Sequence, residues 1–196
     1  MSVTAAAGFR AAGVAAGLKE SGNPDVAVVV NDGPLDVAAG VFTTNRISAA
    51  PVLWSRQVLA SARLRAVVLN SGGANACTGP EGFADTHATA EHLAALLDIG
   101  AGEVAVASTG LIGVRLPMSQ LLPGVDKAVA QLGTDGGAAA AEAIRTTDTV
   151  AKQAVRSAGA YTVGGMAKGA GMLAPGLATM LSVLTTDALV DVTAVA

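Results

Sequence analysis

Val26 to Val30 is a run of β-branched and small apolar residues that ends at Asn31-Asp32-Gly33, and this pattern predicts a strand closed by a turn. Val37 to Thr44 reads as its hairpin partner. From Pro51 to Ala62 the apolar positions Val52, Leu53, Val58 and Leu59 recur at helical spacing, with Ser55 and Arg56 toward solvent. Arg65 to Leu69 predicts a second buried strand, running into Asn70-Ser71-Gly72-Gly73-Ala74-Asn75. Ala84 to Leu97 is predicted as a helix capped by Asp85 or Thr86, with Gly100 beyond its end. Val104 to Ala107 is a strand leading into Ser108-Thr109-Gly110. Pro117 to Leu132 is helical, and Pro123 is expected to break it into two pieces. An alanine-rich helix follows from Gly137 to Ile144. Thr162 to Met166 and Thr179 to Thr185 read as strands flanking a glycine-rich loop. Helices and strands alternate irregularly and no repeat is present, which predicts an α/β or α+β fold of layered sheets.

Composition narrows the function classes. The 196 residues are 52% hydrophobic and 14% charged, and aromatics make up only 3%. One domain is expected. So little charge leaves little to solvate a free surface, which points to burial against another chain. The net charge of −3 and the lack of any basic stripe argue against nucleic acid. No apolar run reaches the roughly 18–20 residues of a membrane span. The alanine-rich stretch from Met1 to Lys19 lacks a basic start and is interrupted by Arg10, so it is not read as a signal peptide. A single cysteine, Cys77, suits the cytoplasm.

The junction Ala178-Thr179 is the candidate for chemistry. A hydroxyl needs a base to act as a nucleophile, and an N-terminal threonine supplies its own α-amine. To free that amine, Thr179 must attack the carbonyl carbon of Ala178 and cut the chain there. Gly169, Gly171 and Gly176 allow a strained turn before it. The same residues also fit a plain turn ahead of a core strand, and local pattern leaves both readings open. Ser108-Thr109-Gly110, a hydroxyl beside a glycine amide, suits an oxyanion, or simply a strand-to-loop turn. Thr146-Thr147-Asp148 is a candidate for a polar substrate, or a helix-end loop with self-satisfied hydroxyls. Lys168, within an apolar segment, is a candidate for a carboxylate or an anionic intermediate, or a lysine reaching for the surface. His87 and His92 project about 140° apart on a helix and form no zinc pair. No metal or cofactor loop is found, and none is expected.

Several of these stretches, taken in order, resemble one family. They are Gly8-Phe-Arg-Ala-Ala-Gly13, Gly40-Val-Phe-Thr-Thr-Asn45, Asn70-Ser-Gly-Gly-Ala-Asn-Ala-Cys-Thr-Gly79, Ser108-Thr-Gly-Leu-Ile-Gly113, Thr146-Thr-Asp148, Lys168-Gly-Ala-Gly-Met-Leu173 with Ala178-Thr-Met-Leu181, and Thr185-Thr-Asp187. The chain resembles the N-terminal part of the ornithine acetyltransferases (glutamate N-acetyltransferases) of arginine biosynthesis, over nearly its whole length. The resemblance implies a layered αββα-type sandwich of mixed sheets, similar in chemistry to N-terminal nucleophile hydrolases and incomplete without a β chain. It implies an α-chain domain over 1–178 and the start of the β chain over 179–196. Cleavage between Ala178 and Thr179, Thr179 as nucleophile, Thr109 and Gly110 as oxyanion hole, and substrate contacts at Thr146, Lys168 and Thr179 are the expected site. The expected substrates are N2-acetylornithine and glutamate, with acetyl-CoA as a possible further substrate. The expected assembly is a cytoplasmic α2β2 heterotetramer. The alternatives are a related self-processing aminopeptidase or secondary-metabolite acyltransferase, and a non-catalytic scaffold half.

Overall fold

The computed structural model describes residues 2–169 and 179–195. Among the described residues seven strands form two sheets, and the predicted layered α/β class holds. The first sheet orders β1 (Phe9–Val14), β2 (Val26–Asn31), β3 (Ala66–Gly73) and β4 (Val104–Leu111) side by side. It is mixed: β1–β2 and β2–β3 are antiparallel and β3–β4 parallel. The second sheet, β5 (Lys152–Ala158), β6 (Tyr161–Lys168) and β7 (Leu181–Thr186), is antiparallel throughout.

Alternation along the strands divides the core. Val26, Val28 and Val30 point to one face, where they meet Trp54 and Val58 of α1 (Ala50–Leu59), Leu93 of α2 (Gly79–Leu97), and Leu121 and Val125 of α3 (Met118–Ala130). Ala27, Val29 and Leu69 point to the other face, against Ala140 and Ala141 of α4 (Gly137–Ala143) and Met166 of β6. The layers among the described residues are therefore helices, sheet, and a third layer of α4 with the second sheet. The outer helical layer of the expected αββα sandwich is not among them.

Four expectations need correction. Val37 to Thr44 forms no strand: Val37 makes one bridge to Arg63, because both edges of β2 are already taken by β1 and β3. Helix α2 starts at Gly79 with Pro80 in its first turn, so Asp85 and Thr86 lie inside it and cap nothing. Ser55 is buried rather than solvated, and its hydroxyl donates to Val106 O at 2.7 Å. Pro123 sits within one unbroken helix. Pro123 and Ser119 both lie on its exposed side, where water can reach the carbonyl left without a donor. Strands β1 and β5 were not anticipated.

Candidate functional site

Strands β3 and β4 are parallel neighbours joined through α2, so the segments Asn70–Gly73 and Ser108–Leu111 emerge together at the same end of the sheet. Asn70 ties them: its side-chain carbonyl accepts from Ser108 Oγ at 2.6 Å, and its amide donates to Gly73 O at 3.0 Å. Gly110 pairs with Gly72 at φ +132°, and a Cβ there would lie 2.5 Å from the Gly72 carbonyl carbon. Only glycine fits so close a backbone approach. It leaves Gly110 exposed beside the buried Thr109.

Lys168 ends β6 with its side chain on the face that packs against the first sheet, in line with Met166. It is 4% exposed. Its ammonium donates to Thr109 Oγ1 at 3.1 Å and to the backbone carbonyl of Thr179 at 3.2 Å. Three residues singled out from sequence thus meet: Thr109 from one sheet, Lys168 from the other, and Thr179 just ahead of β7. Burial pushes the Lys168 ammonium below the ordinary lysine value; Asp148 opposes this and Lys152 adds to it.

The remaining predicted residues divide. Thr146 is exposed beyond α4, with no described hydrogen bond to the other three. Ala178 lies outside the described residues. Asp148 is buried. Its Oδ1 accepts from Lys152 Nζ at 2.5 Å and from the Gly169 amide at 2.9 Å. Lys152 Nζ also donates to the Gly169 carbonyl at 2.6 Å. Burial alone would raise the Asp148 carboxyl, but the bonds from Lys152 and Gly169 and the Lys168 charge hold it below the usual carboxylate range.

Two features escaped the sequence reading. Lys152 was not singled out, since nothing local marks its partner 17 residues away at Gly169. Asp25, fully buried, gathers the amides of Ala16, Gly17, Leu18 and Lys19 at 2.6–3.1 Å and fixes the loop whose Leu18 lies against Gly72. Its position after Pro24 gave no signal of that role.

Among the described residues no three His, Cys, Asp or Glu side chains converge as a metal site. His87 leans on the Trp54 ring at 4.9 Å, and His92 meets Asp126 at 2.8 Å. A shallow depression lined by Gly40, Phe42, Arg56, Leu59 and Val192 includes none of the site residues. Among the described residues no helix is long and apolar enough to cross a membrane.

Comparison with known proteins gives this geometry a setting. The sequence profile of the ArgJ family matches residues 10–196. The chain is 71% identical over 191 residues to the arginine biosynthesis bifunctional protein ArgJ of Streptomyces avermitilis, covering 97% of this chain and 50% of that protein. It is 66% identical over 194 residues to the ArgJ of Mycobacterium tuberculosis H37Rv, covering 95% and 48%. The chain therefore spans about half the length of the curated relatives it matches. Among solved structures, ornithine acetyltransferase from Mycobacterium tuberculosis in complex with ornithine superposes with a TM-score of 0.86 at 62% identity, over 92% of this chain and 96% of that one. The arginine biosynthesis bifunctional protein argJ of Bacillus halodurans follows at 0.72 and 32% identity, over 95% and 88%.

Proposed function

The chain belongs to the ArgJ family, and from that premise we propose that it supplies the nucleophile and oxyanion side of an enzyme that moves acetyl from N2-acetylornithine to glutamate. Residues 1–178 form the α chain and 179–196 open the β chain, whose remainder completes the site in a cytoplasmic α2β2 assembly.

The first reaction is on the chain itself. Thr179 Oγ1 attacks the Ala178 carbonyl carbon; the C–O bond forms, the C–N bond breaks, and the hydroxyl proton ends on the nitrogen. Water then splits the ester, leaving a carboxylate on Ala178 and a free amine and hydroxyl on Thr179. In transfer, that amine takes the hydroxyl proton while Oγ1 attacks the acetyl carbonyl of N2-acetylornithine. The proton passes to the departing ornithine nitrogen, and acetyl remains as an ester on Thr179. Glutamate reverses these steps with its own amine. Each addition to the acetyl group places negative charge on its oxygen, and in this reading Thr109 and Gly110 receive it. Lys168 and Thr146 contact the substrate. Acetyl-CoA enters the same scheme as a donor, with its thiol as leaving group.

The observation that carries this reading is Lys168, buried and bonded at once to Thr109 Oγ1 and Thr179 O. An ammonium held between the two sheets links the nucleophile's residue to the oxyanion residue, and a lysine serving only solubility has no reason to be there.

The test uses the full-length protein. Two chains are expected, the second beginning at Thr179, together with an added acetyl mass on the Thr179 peptide after incubation with N2-acetylornithine. Thr179→Ala should remain one chain and exchange no acetyl. An intact precursor with normal exchange would overturn the reading. Hydrolysis of an aminoacyl donor without transfer to glutamate would favour the aminopeptidase.

A further inference from the structure

Asp25 joins three parts of the chain beside the ends of β3 and β4. Its backbone bridges two strands: its N–H donates to Val14 O of β1, and its C=O accepts from the Ser71 N–H of β3, both at 2.8 Å. Its side chain is fully buried and takes four consecutive backbone N–H groups. Oδ1 accepts from Ala16 at 2.7 Å, and Oδ2 from Gly17, Leu18 and Lys19 at 3.1, 2.6 and 3.1 Å. Hydrogen bonds to a charged acceptor are stronger than neutral ones, and four on one carboxylate leave the loop 16–19 little freedom.

That loop lies directly on the strand end that backs Gly110. Gly72 has a φ of +126°, and a Cβ on it would lie 2.9 Å from the Leu18 carbonyl oxygen and 3.0 Å from Leu18 Cβ. Gly72 in turn pairs with Gly110, where a Cβ would lie 2.5 Å from the Gly72 carbonyl carbon. Leu18, Gly72 and Gly110 thus stack closely, with no side chain on either glycine to take up a shift. Close-packed atoms pass a displacement on to their neighbours.

We propose that Asp25 is a positioning residue for acetyl transfer: by fixing the loop 16–19 against Gly72, it holds the Gly110 amide where the oxyanion forms. This rests on the reading of Gly110 as an oxyanion donor. Such a donor is effective because its place is set before the charge appears. A displacement of about 0.5 Å is enough to spoil that geometry. Among the described residues, none of the Asp25 hydrogen bonds goes to Thr109, Lys168 or Thr179. Its effect reaches the reaction through the stack.

The experiment measures acetyl exchange in the full-length protein, per folded molecule cleaved at Thr179, with N2-acetylornithine and glutamate each varied. Asp25→Asn keeps the shape but turns an NH2 group toward amide donors. Its kcat should fall by about tenfold or more, with KM for both substrates within about threefold of the parent. Gly72→Ala pushes on Leu18 and should show the same pattern. It changes no charge, so it separates the stack from the loss of the Asp25 charge. The double variant should lose less than the product of the two single losses, because both act through one contact. Val28→Ala, in the buried middle of β2, is the stability control. It should lower the thermal midpoint by several degrees and leave kcat per folded molecule within about twofold. Parent kcat in Asp25→Asn overturns the proposal, as does parent kcat in Gly72→Ala or full additivity in the double variant. An equal kcat loss in Val28→Ala, a loss confined to KM, or failure of both site variants to fold makes Asp25 a support of the fold alone and overturns it too. A parent protein that exchanges no acetyl overturns the proposed function itself, and this proposal with it.

Discussion

In the first sheet, five of the six residues of β2 are buried and apolar cover lies on both faces. In the second, six of the seven residues of β5 are exposed, and Leu184 of β7 is 74% open to solvent. The first is held by side-chain packing. The second hangs largely on polar ties: Asp187 accepts from the amides of Ala7 and Thr162 at 2.9 and 2.6 Å, Thr185 donates to Val3 O at 2.7 Å, and Lys168 donates to Thr109 at 3.1 Å. Apolar packing is non-directional and tolerates small shifts, whereas a hydrogen bond fixes one atom against another. The candidate site lies where a frame set by packing meets a sheet set by such bonds. Thr109 belongs to the frame, and Lys168 and Thr179 to the sheet docked on it.

The sharpest way to break this contrast is to remove the same leucine side chain from each region. Leu69→Ala, in the buried middle of β3, should cost about 3 kcal/mol in denaturant unfolding of the 196-residue chain. Leu184→Ala should change it by no more than about 0.5 kcal/mol. Equal losses would mean the second sheet has a packed core of its own. Next in size is Lys168→Met in the full-length protein. Acetyl exchange per folded molecule should fall by about 100-fold, with the thermal midpoint lowered only modestly because the bond to Thr109 is one of several ties. A large drop in midpoint with exchange per folded molecule unchanged would make Lys168 a tie between sheets and nothing more. Smaller is Gly110→Ala, whose Cβ meets the Gly72 backbone at a φ of +132°; roughly 2 kcal/mol is expected. Gly159→Ala, in the β5–β6 hairpin with nothing within 4 Å, should cost about 1 kcal/mol from its φ of +63° alone. A Gly110→Ala protein as stable as Gly159→Ala would show that the β3–β4 ends yield freely.

The same contrast governs what the sequence disclosed. Val26–Val30 and Val104–Ala107 were legible because a strand buried on both faces is a β-branched run. Strand β1 was not, since Ala11, Ala12 and Gly13 carry no strand preference. Ala11 and Gly13 are small because α4 passes so close on their face that a Cβ on Gly13 would run into the Ala139 carbonyl. Strand β5 was not legible because its exposed residues need no apolar pattern. In the site, Lys168 stood out as a lysine in an apolar segment, and Thr109-Gly110 as a hydroxyl-glycine pair at a strand end. The clamp of Asp148 and Lys152 stayed hidden because its target is a backbone peptide, and backbone peptides look alike in every sequence.

The finest distinction lies between two carboxylates held below the ordinary value, one in each region. Asp32, at the rim of the first sheet, owes this to its bond with Arg10, and the two side chains are 39% and 38% exposed. The Asp148 carboxylate is 1% exposed, although its partner Lys152 is 47% exposed, and it is held by Lys152 and the Gly169 amide against the effect of burial. A carboxyl whose folded value is depressed stabilises the fold above its unfolded value of about 3.9, and that stabilisation is lost as pH falls through the lower folded value. Both should therefore contribute to an acid limb that begins below about pH 4. Salt separates them, because at about 1 M the screening length is near 3 Å and acts on exposed pairs far more than on buried ones. In acid unfolding of the 196-residue chain, high salt should erase the difference between parent and Asp32→Asn while leaving that between parent and Asp148→Asn. If salt removes both differences alike, water reaches the Asp148 pair, and the grip on Gly169 is then a surface contact like that of Arg10 on Asp32.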